Sequence, residues 1–357
     1  MATIYDVARM AGVSPKTVSR VLNGDGPVNA RTREVVEAVI GQLGYVPSGA
    51  ARTMRSHRTG LVGVVTGAIS GSHAAGGVTG LPDLQIVQGI QRLLADHSLT
   101  LLISDTGGDP ERIPQLVRTL REHRVEGVFF VASHHQRIDL PVGNFGPIVL
   151  VNAYDDAGTP CVLPDDIHGQ WALTAALIAR GHRRIGFLAL PSHLIAHELR
   201  LDGYRRALAE AGIAYDADLV ADGDWEGGPG DWSPLLAAID AMLALERPPT
   251  VLCCGNDRLA IAAYGILRAR GVAVPEEMSV AGYDDYRVIS ETLFPPLSTM
   301  ELPYGRMGET AAHLLLGHIR GKEPLTGGAR ILVRGDLRWR ASVIPGPAWS
   351  QLEPAHG

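Results

Sequence analysis

The sequence predicts an N-terminal all-α helix-turn-helix domain followed by an α/β core of two Rossmann-like lobes. Three observations predict it. The first 46 residues hold three helical patterns, each separated from the next by glycine and an N-capping residue. From Leu61 onward, short apolar strands alternate with amphipathic helices, as in parallel sheets covered on both faces. The strands are too many for one sheet of usual size, and 357 residues are too many for one ordinary core.

The first helix spaces Ile4, Val7, Ala8 and Ala11 at helical intervals, and Gly12 supplies the freedom in φ that a tight inter-helix turn needs. Ser14 is a natural N-cap and Pro15 suits the first helical position. A second helix over Pro15–Leu22 turns Val18, Val21 and Leu22 inward. Lys16, Thr17, Ser19, Arg20 and Asn23 then face outward, a surface of base-edge and phosphate donors. A third helix over about Ala30–Leu43 buries Val36, Val39, Ile40 and Leu43, and Gly44 ends it.

Charge is unevenly spread. Residues 1–58 carry eight Lys/Arg against four acids, a balance of +4, so a net charge of -6 leaves -10 for the remainder. A basic head on an acidic body suits a phosphate-bearing partner at one end only. The N-terminus lacks the basic and apolar regions of a signal peptide, and no apolar run has transmembrane length. Cys161, Cys253 and Cys254 cannot build a disulfide framework and read as reduced core residues of a cytoplasmic protein.

The strings Thr3-Ile4-Tyr5-Asp6-Val7-Ala8, Ala11-Gly12-Val13-Ser14 and Thr17-Val18-Ser19-Arg20-Val21-Leu22-Asn23 closely resemble the lactose-repressor (LacI/GalR) family. Gly44-Tyr45-Val46-Pro47 and Ala51-Arg52 continue the match, which runs from about residue 2 to 340. The resemblance implies that Pro15, Lys16 and Arg20 read bases in the major groove, with Ser14, Thr17, Ser19 and Asn23 at the same DNA surface. Pro15 has no donor and can contribute only shape or an apolar contact. For Thr17 and Ser19, phosphate contact without sequence information is the preferred reading.

Residues 47–59 link this reader (1–46) to the core. The resemblance implies a hinge helix in the minor groove, with Ala51 and Arg52 at family positions and Met54 where the wedging side chain is usually leucine. About two turns containing Gly49 cannot stay helical alone in water, so the helix should form only on DNA, beside its dimer mate.

Core strands are expected at 61–65, 101–104, 127–131, 148–151, 185–190, 250–254 and 279–283, with helices near 84–96, 112–123, 168–180, 199–211, 235–245, 257–270 and 305–320. The resemblance makes this core (60–340) periplasmic-binding-protein-like, with three crossings between lobes. These are placed near 160–165, 292–300 and 323–330. One lobe is then about 60–162 with 296–325, the other 163–295 with 326–340, and 341–357 is a tail without leucine heptads.

Ligands of open α/β sheets sit beyond the carboxyl ends of strands. Asn152, Asp165, Asp166, Asn256, Asp257, Asp284 and Asp285 fall at such ends. Planar Asp, Asn and Arg groups satisfy sugar hydroxyls, and an aromatic ring covers the C–H face. By motif position, Arg200, Asp284 and Asn256 are assigned to hydroxyls and Trp225 to stacking, with Asn152 and Asp165 in support. Asp165 and Asp257 are equally placed to cap the following helices, and Asp285 reads as structural. The Gly-rich loop 66–82 either admits a bulkier oligosaccharide or is a surface excursion.

His193 and His197 lack an evident third ligand for a metal, and His134-His135 reads as a solvated turn. In Gly181-His182-Arg183, Gly181 ends a helix and the basic residues complement its carboxyl end. Neither a Walker A string nor a dinucleotide fingerprint is present, so no cofactor is expected. A sugar-acting enzyme would need paired catalytic carboxylates, which nothing sets apart here. A transport binding protein is excluded by the reader. The expectation is a homodimeric repressor on a palindromic operator, controlled allosterically by a sugar, with a purine co-repressor as the alternative.

Overall fold

The computed structural model describes residues 2–46, 58–67, 81–139, 146–221, 231–321, 325 and 328–347. The expected hinge residues Ala51, Arg52 and Met54, the stretch 68–80 of the Gly-rich loop, and Trp225 lie outside the described residues. The chain divides into two units, Met1–Leu61 with Arg124–Glu126, and Val62–His123 with Gly127–Gly357.

Helices α1 (Ile4–Ala11), α2 (Pro15–Asn23) and α3 (Ala30–Leu43) form the first unit. Local chemistry sets their ends. Thr3 and Asp6 cap α1 reciprocally, the Thr3 hydroxyl accepting from the Asp6 N–H while the Asp6 carboxylate accepts from the Thr3 N–H. Gly12 turns the chain at φ 67°, where a side chain would be strained. Val7, Ala8, Val18, Val21, Val36 and Val39 meet in a small core. Full burial of such a side chain stabilises by roughly 1.5–3 kcal/mol, enough to hold three short helices that would not persist singly.

The second unit carries two six-stranded sheets. In chain order its elements are β1 (Leu61–Thr66), α4 (Leu81–Ala95), β2 (Thr100–Asp105), α5 (Ile113–Glu122), β3 (Val128–Arg137), β4 (Ile148–Tyr154), β5 (Cys161–Pro164), α6 (Asp166–Ala179), β6 (Ile185–Leu188), α7 (Ile195–Glu210) and β7 (Val220–Ala221). There follow α8 (Ser233–Leu243), β8 (Val251–Cys254), α9 (Asp257–Ala269), β9 (Ser279–Asp284), α10 (Arg287–Ser290), β10 (Ser298–Glu301), α11 (Tyr304–Ile319), β11 (Arg330–Val333) and β12 (Leu337–Arg338). One sheet runs β11-β5-β4-β3-β1-β2 and the other β12-β10-β9-β8-β6-β7.

In the first lobe, α4 and α11 close over one sheet face. A Cβ on Gly89 would sit 2.1 Å from the Gly305 carbonyl oxygen, and one on Gly308 would sit 2.1 Å from that of Ile86. Only glycine lets these two helices approach so closely. In the second lobe, α8 and α9 cover one face through Ile239, Leu267 and Val280, and α6 and α7 the other through Leu173, Leu177 and Phe187. Strands covered on both faces explain their continuous apolar runs. Cys161, Cys253 and Cys254 are buried, free thiols.

The first crossing between lobes falls at 164–166, at the end of the expected stretch 160–165. The other two correct the expectation. β10 belongs to the second sheet and β11 to the first, so these crossings lie at 301–304 and 333–337, not at 292–300 and 323–330. β10 escapes a hydropathy reading because Ser298 and Thr299 are polar yet fully buried. Their hydroxyls are satisfied by the Arg340 N–H and by Asp257. The expected tail at 341–357 also begins too early. Ser342 and Val343 are buried, and the Gly346 N–H donates to the Arg180 carbonyl.

Candidate functional site

In the three-helix unit, Ser14 accepts from the Thr17 N–H at 3.1 Å and Pro15 opens α2. The same hydroxyl lies 3.0 Å from that of Thr17, so these two side chains are tied to each other. Val18 and Val21 point into the core. That sets Lys16 and Arg20, one helical turn apart, on the exposed side, with Thr17 and Ser19 half-buried and Asn23 closing the helix. A helix N-terminus with exposed cations beside it favours anions.

In the two-lobed unit, the strand ends converge on a cavity of about 140 Å³ lined by His134, His135, Asn152, Asp166, Arg200, Asn256, Asp284 and Tyr304. Arg200, on α7, is 4% exposed. Its Nε donates to Asp166 Oδ1 at 2.9 Å, its Nη1 donates to the Gly255 carbonyl, and its guanidinium lies 3.7 Å over the Tyr283 ring. Burial opposes charge on Asp166. The Arg200 cation and the hydrogen bonds from His135 and Arg200 outweigh it and hold the carboxyl below its ordinary range.

Asp284 Oδ1 stands 4.0 Å from Arg200 Nη1. Burial pushes its carboxyl up to about 7, against the pull of Arg200. Asn152 and Asp284 hold positive φ, 60° and 129°, and Asp285 follows at 51°. Such backbone costs energy and gathers at binding sites. The Asn152 amide donates to the Ala132 carbonyl, which anchors it in the cavity wall.

Arg200, Asp284, Asn152 and Asn256 therefore line one cavity, and the others divide. Asn256, not Asp257, caps α9. Its carbonyl oxygen accepts from the Leu259 N–H, which leaves its NH₂ as the donor for the cavity. Asp257 instead accepts from Thr299 and from the Tyr286 N–H, and burial followed by the Asp284 charge raises its carboxyl well above the ordinary range. Asp165 caps α6 and pairs with Arg334 at 3.0 Å. Asp285 is structural, bound by Arg340 and Ser290.

His134 and His135 are not a solvated turn. Both lie in β3, His135 buried with its Nδ1 2.9 Å from Asp166 Oδ2. The strand runs past its expected end at Val131 because a register shift against β4 resumes pairing at Gln136. His134, His135, Asp166 and Tyr304 line the cavity and are missing from the sequence assignment. His182 is likewise buried, bonded to Thr250 and the Ile344 carbonyl rather than complementing a helix end. His197 is buried, its Nδ1 2.6 Å from the Leu190 carbonyl oxygen. Among the described residues no group of three His, Cys, Asp or Glu is placed to hold a metal. Nor is any described helix long and apolar enough to cross a membrane.

A second concavity of about 730 Å³, largely apolar, is lined by Trp232, Leu236, Ile261, Ile266 and Ile289 and shares Asn256, Asp284 and Tyr304 with the first.

Comparison with known proteins adds independent findings. Residues 3–48 match the bacterial regulatory proteins of the lacI family, and residues 174–343 match the periplasmic binding protein-like domain. The HTH-type transcriptional repressor PurR of Vibrio cholerae is 31% identical over 334 residues, 90% of this chain and 93% of that protein. A lac repressor dimer bound to operator and an anti-inducer superposes with a TM-score of 0.73 at 26% identity, covering 96% and 99% of the two chains. The transcriptional regulator CelR in complex with cellobiose superposes with a TM-score of 0.62 at 31% identity, covering 96% and 100%.

Proposed function

The chain belongs to the LacI family of bacterial regulatory proteins, DNA-binding transcriptional regulators with an effector-binding core, and from that premise we propose that it represses a carbohydrate-utilisation operon under control of a neutral sugar. The carrying observation is the small cavity, where Arg200, Asn256, Asp284 and His135 bring donors and acceptors from both lobes to one place. Polyhydroxylated rings need that mixture. The likeness to a cellobiose-bound regulator supports the same reading. Trp225 is assigned to stacking, with Asn152 and Asp165 as supporting effector contacts.

On the DNA side, Lys16 and Arg20 contact base edges with Pro15 beside them. Ser14, Thr17, Ser19 and Asn23 hold the surrounding backbone, and Ala51, Arg52 and Met54 enter the minor groove. The protein acts in the cytoplasm as a homodimer on a palindromic operator. The apolar α9 face, with exposed Ile261, Val288 and Phe294 nearby, is the surface assigned to the second copy. No catalytic step and no cofactor belong to this reading.

Fluorescence anisotropy on labelled DNA from upstream of its own gene, at fixed salt, tests it. Release by a mono- or oligosaccharide is the expected result. Tightening by guanine or hypoxanthine would move the effector to the purine class and leave the regulator unchanged.

A further inference from the structure

We propose that His135 is an effector-contacting residue that offers its imidazole Nε2 as a hydroxyl acceptor from the first lobe, and that Asp166 is the positioning residue that fixes it so; this rests on the sugar reading above. Asp166 is 1% exposed and has one oxygen committed to each lobe. Its Oδ2 meets His135 Nδ1 from β3 at 2.9 Å, and its Oδ1 meets Arg200 Nε from α7 at 2.9 Å.

Arg200 keeps this carboxylate ionised, and an ionised carboxylate only accepts. His135 Nδ1 must then donate. The neutral form of the ring has a single N–H, so in that form, with Nδ1 donating, Nε2 carries the lone pair. The ring is further held edge-on to Tyr154, centroids 5.9 Å apart. Since Nδ1 is engaged, Nε2 is the polar atom His135 can give to the cavity it lines.

One buried carboxylate thus orients an acceptor in the first lobe and a donor in the second. A hydroxyl can donate to the one and accept from the other. The pair selects a neutral, hydroxyl-rich effector. An anionic sugar would face the Nε2 lone pair and the Asp284 carboxylate, while Asp166 already neutralises Arg200.

The test uses the full-length protein on labelled operator DNA with ribose, glucose, cellobiose and glucose 6-phosphate. In parallel, ¹⁵N-histidine spectra at pH 8 are recorded, the His135 signals being identified by their loss in His135→Gln. The Nδ1–H tautomer is expected in wild type and its preference lost in Asp166→Asn. The sugar concentration for half-release should rise about tenfold in His135→Leu, the loss of one well-made hydrogen bond. It should stay within about threefold in His135→Gln, whose N–H can donate to Asp166 while its carbonyl accepts. A cooperative thermal unfolding transition of the core, read by calorimetry, shows that the variants fold.

An Nε2–H tautomer overturns the assignment, as does release of wild type by glucose 6-phosphate. Release of His135→Leu at the wild-type concentration removes the assignment alone. Failure of every neutral sugar to release wild type removes the sugar reading and the assignment with it.

Discussion

Lys16 and Arg20 stand on an exposed helix face whose geometry is set within ten residues, by Gly12, Ser14 and Pro15. Arg200 and Asp166 are buried and held by partners 34 and 31 positions away in sequence. The first arrangement separates function from folding, because an exposed donor leaves the core untouched when removed. The second fuses them, because the groups that line the cavity are also each other's neutralising partners. The contrast has measurable consequences, and the largest is at Arg200.

Replacing Arg200 by Met leaves Asp166 buried with its cation gone. Breaking a buried pair from one side costs about 3–5 kcal/mol, so the melting temperature of the core should fall by several degrees. The double variant Arg200→Met/Asp166→Leu, which removes both charges, should recover a large part of it. Lys16→Ala should leave the melting temperature close to wild type, as substitutions on an open surface usually cost under about 0.5 kcal/mol. Equal losses at Arg200 and Lys16 in calorimetry would break the comparison.

Acidity sharpens it next. Asp83, at the start of α4, is 1% exposed and accepts from the Thr66 hydroxyl. Burial nevertheless raises its carboxyl from 3.8 to about 6. The folded state therefore binds more protons than the unfolded one between about pH 4 and 6, and stability falls as pH rises through that window. The cost above it is up to about 3 kcal/mol at 1.36 kcal/mol per pKa unit. Asp83→Asn should flatten this slope and gain stability over wild type at pH 8, read from urea titrations at pH 4 and pH 8. Asp6 in the three-helix unit has the opposite sign. Hydrogen bonds from Thr3 lower its carboxyl, so its contribution is present at neutral pH and lost as pH falls through the acid range. Asp6→Asn should lower stability at neutral pH and leave it unchanged in acid.

The same contrast explains what was legible in the sequence. The three helices, their caps at Ser14 and Gly12 and their core valines follow from local spacing, and the structure places them at the expected residues. Arg200, Asp284 and Asn256 were reachable through motif position, and they do share one cavity. His135 and Asp166 were not reachable by local reading. A histidine pair after an apolar strand looks like a turn unless the register shift that extends β3 is known. An aspartate at a strand end looks like a cap unless its partners on β3 and α7 are seen. β10 was missed for the same reason, since burial of Ser298 and Thr299 depends on partners elsewhere in the chain. Tertiary pairing, not composition, decides these positions.

For DNA, Lys16→Ala and Arg20→Ala should each weaken operator binding by about 1–3 kcal/mol and relax preference at one base position. Binding to unrelated DNA should change far less. A loss of similar size on both DNAs, with the salt slope reduced by about one, would reassign that residue to a phosphate.

The smallest effect is at Ser14, where the two roles meet in one side chain. Its hydroxyl caps α2 through the Thr17 N–H and lies against the Thr17 hydroxyl, while its position borders the exposed face that carries Lys16 and Arg20. Ser14→Ala removes the cap and should cost the three-helix unit about 1 kcal/mol. That change alone cannot separate folding from recognition. Ser14→Asp can, because aspartate caps as well as serine and its charge suits the helix N-terminus. If Ser14 is only a cap, Ser14→Asp should match wild type in thermal stability and keep most of its operator affinity. If the hydroxyl also meets a phosphate, stability stays and affinity falls steeply at low salt, where repulsion is least screened. Stability and affinity falling together in Ser14→Asp would contradict both roles and show that even the exposed face is tied to folding.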